Sequence, residues 1–387
     1  MTQDLHPEIL RLKQEMIQWR HHIHSYPETA FEEHNTTAFI IEKLRSFGID
    51  ELYTEFAPTG VVAIIKGNKA GKWIGLRADI DALDIIEDNQ IDYCSKIKGK
   101  MHACGHDGHT AMLLGTAKYL ASHRDFAGTV VVIFQPAEEN EGGGRVMVER
   151  GLFDRFPIEE IYGLHNQPNM AFGEFYIRKG PFMAAYDVFD IKIVGKGAHA
   201  AGPHNGYDTI VTATQVVNSL QTIVSRNINP IDSIVISVTQ IHSGDTWNVL
   251  PQEAVIRGTV RTFKPAVQDL AEQRIKEIAQ GIANTFHATA QVNYQRRYPT
   301  TVNHEYATDL ALDAAIALVG NDKVHCDIPP SMGSEDFAFM LQVKPGAYIW
   351  LGTGPGANLH HPQFNFNDEI LTTGVAYFVK LVKNQLI

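Results

Sequence analysis

One ten-residue segment concentrates the side-chain types that bind metals. Residues 101–110 read Met-His-Ala-Cys-Gly-His-Asp-Gly-His-Thr, in a chain with only three cysteines. Thiolate, neutral imidazole and carboxylate groups hold divalent ions, and a Cys-x-His pair can direct two of them to one point where the backbone turns at Gly105. A single histidine here would indicate only a polar loop, but this density predicts a metal site.

A pair of adjacent acids follows a buried strand farther along the chain. The apolar run Val130–Phe134 leads through Gln-Pro-Ala to Glu138 and Glu139, ahead of a glycine-rich stretch. One of two adjacent carboxylates can bind a metal while the other takes a proton from water, whose pKa a bound metal lowers to about 7. Alone, this segment would indicate a solvated turn, but the Cys-His segment upstream favours a catalytic interpretation.

Further histidines complete a set of candidate ligands. His165 ends the apolar run Ile161–Leu164, and a late loop contains His360 and His361, of which one is a predicted ligand. A tetrahedral structural zinc takes four ligands, so five candidates predict two divalent ions that share a bridge. The set is Cys104, His106, Glu139, His165 and one of His360 and His361. Paired metals of this kind hydrolyse amides.

Two loops of the second half of the chain carry candidate hydrogen-bond donors. His199 lies among small residues in Gly195–Pro203, and Asn248 lies in the turn Trp247–Pro251. An imidazole and an amide could stabilise an oxyanion if these loops reach the metal site, directly or from a partner subunit. Exposed turns are the alternative. The Gly-x-Gly beside His199 is a weak nucleotide signal, because the spacing of a dinucleotide fingerprint is absent.

The elements that must position these residues divide into two classes. Short apolar runs near residues 60–65, 73–78, 130–134 and 161–164 alternate with helical patterns, which predicts an α/β domain with a mainly parallel sheet. Its candidate ligands lie beside these elements or just past the carboxyl ends of the strands, where open α/β sheets bind ligands. After about Ala185 the pattern becomes β-α-β-β-α-β, the ferredoxin-like unit. We predict a catalytic domain of residues 1–185 and 298–387 and an inserted domain of residues 186–297.

Composition excludes several classes of function. At 387 residues, with 44% apolar residues, the chain is long enough for two cores. Its net charge of -11 and the lack of basic runs argue against nucleic acid as a partner. No secretory signal, membrane span or disulfide pattern is visible, so we expect a cytoplasmic protein that does not enter membranes.

Seven motifs in order resemble the M20 family of metallopeptidases and amidohydrolases, in the branch of hippurate hydrolases, N-acyl-amino-acid amidohydrolases and auxin-conjugate hydrolases. They are Ala78–Leu83, Met101–His109, Gln135–Glu139, Gly163–His165, Gly197–Ala200, Gly333–Phe337 and Leu359–Pro362. The resemblance implies a two-metal enzyme that releases an amino acid from a small N-acyl conjugate. It also implies an inserted lid domain that mediates homodimerisation.

The resemblance assigns roles to individual positions. Glu138 matches the general base, His199 matches the histidine that stabilises the tetrahedral intermediate, and Asp81 belongs to the catalytic set. Asn248 is an expected oxyanion partner. The other implied positions are the metal ligands Cys104, His106, Glu139, His165 and His360, with Arg261 and Glu335 for substrate binding.

Two positions depart from the family pattern. Asp84 stands where proline is common after Leu83, which predicts a different loop near the substrate entrance. The second departure is the doublet of His360 and His361, in which His360 falls on the ligand position of the family pattern and His361 on the variable position. Zinc, cobalt and nickel suit a thiolate with imidazoles, and the resemblance also allows manganese.

Three alternatives stay open at this point. Cys104 could be the nucleophile of a thiol hydrolase, with His106 or His109 as its base. The fold could serve a protein that only binds a metal or a peptide, which would have no use for a free base beside the metal. A dipeptidase or carboxypeptidase of the same mechanism is the nearest alternative.

Overall fold

The computed structural model describes residues 6–386. Ten α-helices are formed within this range. They are α1 Pro7–Ser25, α2 His34–Ser46, α3 His106–Ser122, α4 Gly143–Glu149, α5 Leu152–Arg155, α6 Thr209–Thr222, α7 Pro265–Thr285, α8 Glu305–Val319, α9 Phe337–Leu341 and α10 Leu371–Gln385.

Sixteen strands accompany them in the described range, several of only two residues. They are β1 Leu52–Tyr53, β2 Val61–Lys66, β3 Lys69–Asp79, β4 Ala127–Gln135, β5 Glu160–Gln167, β6 Phe175–Tyr176, β7 Gly180–Met183, β8 Ala185–Val194, β9 Ala198–His199, β10 Ile234–His242, β11 Val249–Leu250, β12 Glu253–Thr262, β13 Thr289–Tyr298, β14 Thr301–Asn303, β15 Val324–His325 and β16 Gly346–Gly352.

The chain separates into two compact units. The first contains the described chain up to Phe182, Thr301–Pro329 and the described chain from Asp336 onward. The second contains Met183–Thr300 and Pro330–Glu335.

The first unit is built on an eight-stranded sheet. Its order is β1-β2-β4-β3-β5-β16-β6-β15, and the central strands β4, β3, β5 and β16 are parallel. Antiparallel pairs occur toward the edges, between β1 and β2, β2 and β4, and β16 and β6. Almost every residue of β4 is buried, as expected for a strand covered on both faces. The predicted α/β class with a mainly parallel sheet is confirmed.

Helix α3 is the central helix of this unit. It is apolar around most of its circumference and packs against α1 and α10, so that its side chains join the main hydrophobic core. Burial of α3 fixes its N-terminus, where the candidate ligands lie, against the ends of the strands.

The second unit is a four-stranded antiparallel sheet with two helices. Its order is β10-β12-β8-β13, and α6 and α7 pack on one face around a separate core. Strand β8 alternates between buried and partly exposed residues, the pattern of a sheet with one covered face. The predicted ferredoxin-like β-α-β-β-α-β unit is confirmed.

One central strand was not predicted. Gly346–Gly352 forms β16, which pairs with β5 over the whole length of β16. Helix α2 was also missed. Within residues 6–386, no helix is both long and apolar enough to cross a bilayer.

Candidate active site

The candidate ligands of the first unit lie at one edge of its parallel sheet. Asp81 follows the end of β3, and Glu138 and Glu139 follow the end of β4. His165 lies within β5, beyond the residues that pair with β3. Because parallel strands end at the same edge, residues distant in sequence converge here.

Cys104 and His106 enter the site on either side of Gly105. Gly105 has a left-handed backbone with φ 95°, which glycine adopts without strain. A Cβ there would lie 2.2 Å from Oδ1 of Asn166. Glycine therefore allows the loop to turn tightly against β5, and α3 begins directly at His106.

The donor atoms of five predicted ligands fall into two overlapping groups. Within each group, the atoms lie within 4.8 Å of one another. The groups are Cys104 with His106 and His165, and Cys104 with Glu139 and His360. Because both contain Cys104, two cations held by them would share a ligand.

His106 and His165 are the two buried histidines of this set. In each of them one ring nitrogen faces the other candidate ligands, and the other ring nitrogen contacts an oxygen of the protein. Nδ1 of His106 lies 3.0 Å from the carbonyl oxygen and 3.2 Å from Oδ1 of Asp81. Nδ1 of His165 lies 2.6 Å from the carbonyl oxygen of Asn166, and its Nε2 lies 3.4 Å from Sγ of Cys104. Metal-binding histidines are held in this way. Nε2 of His106 is buried without a hydrogen-bond partner among the described residues, so the donor set fits a metal.

The carboxylates of the site change the pKa values of Cys104 and His106. Burial, then Glu139, Glu138 and Asp79, raise the pKa of Cys104 well above its usual value. Burial lowers the pKa of His106, but Asp79 and Asp81 outweigh it and raise the pKa to about 10. A cation bound nearby would offset the negative charge of these carboxylates.

The same environment bears on the thiol-hydrolase alternative. A nucleophilic cysteine needs a lowered pKa, from cationic neighbours or a helix N-terminus. Although Cys104 lies just before the start of α3, burial and the neighbouring carboxylates raise the pKa of its thiol. The structure therefore favours Cys104 as a metal ligand over Cys104 as a nucleophile.

Glu138 lies beside the candidate ligands and is buried. Its carboxylate is within 4.8 Å of donor atoms of His106 and Glu139. Oε1 of Glu138 accepts a hydrogen bond from the backbone N–H of Asp336 at 3.3 Å. A buried carboxylate next to a metal centre can accept a proton from water.

The two late histidines differ in position. Nε2 of His360 lies 3.2 Å from Oε1 of Glu139, and its backbone, with φ 63°, donates to the carbonyl oxygen of Ala103 at 2.8 Å. Both residues are exposed, but Nδ1 of His361 accepts the N–H of Gln363 at 3.1 Å. The structure thus brings His360 to the candidate ligands.

In the second unit, His199 and Asn248 lie together. Strands β9 and β11 pair so that His199 lies opposite Val249, and the N–H of Ala200 donates to the carbonyl oxygen of Asn248 at 3.0 Å. Nδ1 of His199 accepts the N–H of Ala201 at 3.1 Å. This contact leaves the proton on Nε2, which is the atom that could donate to an oxyanion.

Arg261 and Glu335 also belong to the second unit. The guanidinium of Arg261 donates to the hydroxyl of Ser334 at 2.9 Å and stacks over Tyr186 at 4.1 Å. Glu335, the next residue after Ser334, is buried.

A buried ionic network next to the loop of Glu138 and Glu139 was not predicted from the sequence. Arg77 donates to Asp79 at 2.8 Å and to Asp336 at 2.9 Å. Asp336 also accepts from the side chain of Gln135 and from the N–H of Gly144, both at 2.8 Å. The signal available in sequence was the unusual arginine at the end of an apolar strand.

Comparison with known proteins gives one family. The sequence profile of Peptidase family M20/M25/M40 matches residues 75–384. A hippurate hydrolase of Campylobacter jejuni is 39% identical over 383 residues, spanning 99% of this chain and 100% of that protein. An N-acetyl-L-cysteine deacetylase of Bacillus subtilis is 44% identical over 370 residues, spanning 95% of this chain and 87% of that protein.

A solved structure agrees in fold and in sequence. A Bacillus subtilis protein described as a dinuclear metal-binding peptidase of the M20 family superposes with a TM-score of 0.85 and 36% identity. The match covers 97% of this chain and 99% of that chain.

Proposed function

Because the chain belongs to Peptidase family M20/M25/M40, we propose that it is a metal-dependent amidohydrolase of N-acyl amino acids. It cleaves the amide bond and releases a carboxylate and a free amino acid. The observation that carries this proposal is that sulfur, nitrogen and oxygen donors converge beside Glu138, an acid that is not itself one of the proposed ligands. The hydrolase and the deacetylase among the relatives both act, by their names, on N-acyl amino acids.

The metal ligands in this proposal bind two divalent ions per chain. They are Cys104, His106, Glu139, His165 and His360. When bound, such ions polarise the amide carbonyl and lower the pKa of water. Zinc, cobalt and nickel are candidate metals because they suit a thiolate with imidazoles, and the family also allows manganese.

Glu138 acts as the general base and then as the general acid. It takes a proton from the attacking water as the oxygen bonds to the amide carbon. It returns that proton to the nitrogen as the carbon–nitrogen bond breaks, so that the amine leaves neutral. The backbone N–H of Asp336 donates to Oε1 of Glu138 and helps to fix the position of this carboxylate.

The second unit contributes the remaining functional groups in this proposal. Nε2–H of His199 and the amide of Asn248 donate to the oxyanion of the tetrahedral intermediate. Arg261 binds the carboxylate of the amino acid, because a guanidinium forms paired hydrogen bonds with a carboxylate. Glu335 contributes to substrate binding, and residues 186–297 serve as the lid.

We also propose a cytoplasmic homodimer formed through the second unit. Strand β10 is an edge of its sheet, with unpaired backbone groups that a second copy could pair. Trp247 is fully exposed, and Ile210 and Ile241 are about half exposed. Light scattering should give twice the chain mass, and a monomer at micromolar concentration would contradict the dimer.

A substrate panel tests the activity. Chelation should abolish hydrolysis, metal addition should restore it, and acetyl, benzoyl or indole-acetyl amino acids should be cleaved faster than dipeptides or peptides with a free C-terminus. The opposite preference would establish the second candidate, a dipeptidase or carboxypeptidase, which the peptidase description of the structural relative favours. Metal-loaded protein that cleaves nothing in the panel would indicate a binding protein.

A further inference from the structure

Glu33 lies at the start of α2, but its side chain does not cap that helix. The free N–H groups of Asn35 and Thr36 instead donate to the carboxylate of Glu28, at 3.1 and 2.8 Å. Glu33 is completely buried. A buried carboxylate is costly unless its oxygens accept hydrogen bonds, so its partners matter to its role.

The oxygens of Glu33 bind the loop that carries Glu138. Oε1 accepts the backbone N–H of Ala137 at 2.9 Å. Oε2 accepts the hydroxyl of Thr59. Through these two contacts, Glu33 connects the residue before Glu138 to the segment that leads into β2.

Ala137 has a conformation that needs such support. Its φ of 55° lies in the left-handed region, which is strained for a residue with a Cβ. Its carbonyl oxygen accepts the N–H of Gly143 at 3.1 Å, which closes the loop. Strained backbone persists where the surrounding contacts hold it. The conformation of Ala137 sets the direction in which the chain enters Glu138.

The backbone on the other side of Glu138 is held in the same way. The N–H of Glu139 donates to Oδ2 of Asp81 at 3.0 Å. Two buried carboxylates, Glu33 before Glu138 and Asp81 after it, therefore hold the amides that flank this residue.

We propose that Glu33 is a positioning residue for Glu138. By holding Ala137 in the left-handed conformation, it fixes where the carboxylate of Glu138 lies relative to the reacting water. This inference rests on the proposed function, in which Glu138 is the base. The hydrogen bonds of Glu33 go to Ala137 and Thr59 rather than to the metal ligands, so its loss affects turnover and leaves metal binding intact.

Three variants of the metal-loaded protein test the proposal. Glu33→Ala should lower kcat by about 10²-fold, since misplacement by about 1 Å costs that much, with KM and metal content unchanged. Glu33→Gln should restore most of kcat, because its amide oxygen can accept the N–H of Ala137 and the hydroxyl of Thr59 can turn to accept from its amide. Glu28→Ala, a matched control, should keep the wild-type kcat.

Hydrogen exchange of the metal-free protein provides a measurement that does not depend on activity. The amides of residues 137–142 should exchange faster in Glu33→Ala than in the wild type or Glu28→Ala. Wild-type kcat in Glu33→Ala would overturn the proposal. The proposal would also be overturned if Glu33→Ala lost kcat, bound metal and folded structure together and Glu33→Gln did not restore them.

Glu138→Gln separates this inference from the function on which it rests. If Glu138→Gln remains active, the proposed function itself fails. If Glu138→Gln is inactive and Glu33→Ala is fully active, only the role of Glu33 fails.

Discussion

The carboxylate of Asp81 accepts the backbone N–H of Glu139 at 3.0 Å. Its other oxygen lies 3.2 Å from Nδ1 of His106. One buried side chain thereby orients two candidate metal ligands that come from the ends of different elements. Such outer contacts fix the tautomer of a histidine and the direction of its free nitrogen.

Asp81→Asn should weaken metal binding by about 10–100-fold, the usual effect of losing such a contact. An asparagine oxygen that accepts the N–H of Glu139 would turn its NH₂ group toward the Nδ1–H of His106, where two donors repel. Titration with a competing chelator measures the affinity. Asp84→Asn changes an exposed acid three residues later and should bind metal normally; equal affinity in both variants would remove Asp81 from the site.

Cys104→Ala should lose metal and activity together, because Cys104 belongs to both groups of candidate ligands. The chain offers its own controls, since Cys94→Ala and Cys326→Ala change the two other free thiols, which lie outside those groups. Elemental analysis of the three purified variants distinguishes them. Full metal content in Cys104→Ala would show that the thiol is not a ligand.

The buried side chain of His24 makes the stability of the folded protein depend on pH. Burial lowers the pKa of His24, but hydrogen bonds to Asp107 and Glu87 outweigh it and raise the pKa above 6.5. The stabilisation is therefore complete below pH 6.5 and is lost as the pH rises through the higher folded value. His24→Gln removes it, so the gap in unfolding temperature between wild type and variant should narrow above pH 6.5. A constant gap from about pH 5 to about pH 9 would contradict this.

The candidate ligands could be recognised from sequence because their signals are local. The Cys-x-His pair stands out by the density of ligand types around it, and the doublet of Glu138 and Glu139 follows an apolar run that predicts a buried strand. Since parallel strands end at a common edge, the runs also predicted that these residues converge.

The supporting residues could not be recognised, because their burial depends on distant packing. Glu32 and Glu33 are adjacent acids in a polar segment, yet Glu32 is exposed and Glu33 is fully buried. Asp336 reaches Arg77 across 259 positions of sequence. Strand β16 was missed because its short apolar run lies between glycines in a segment with loop-like composition.

The central claim is that Glu138 moves protons beside metals that other residues hold. Metal content and kcat measured on the same preparation of Glu138→Gln test it most directly. We predict two metal ions per chain and a kcat lowered by about 10²–10⁴-fold, the usual contribution of a general base. A variant that keeps its metals and most of its wild-type rate would contradict the account.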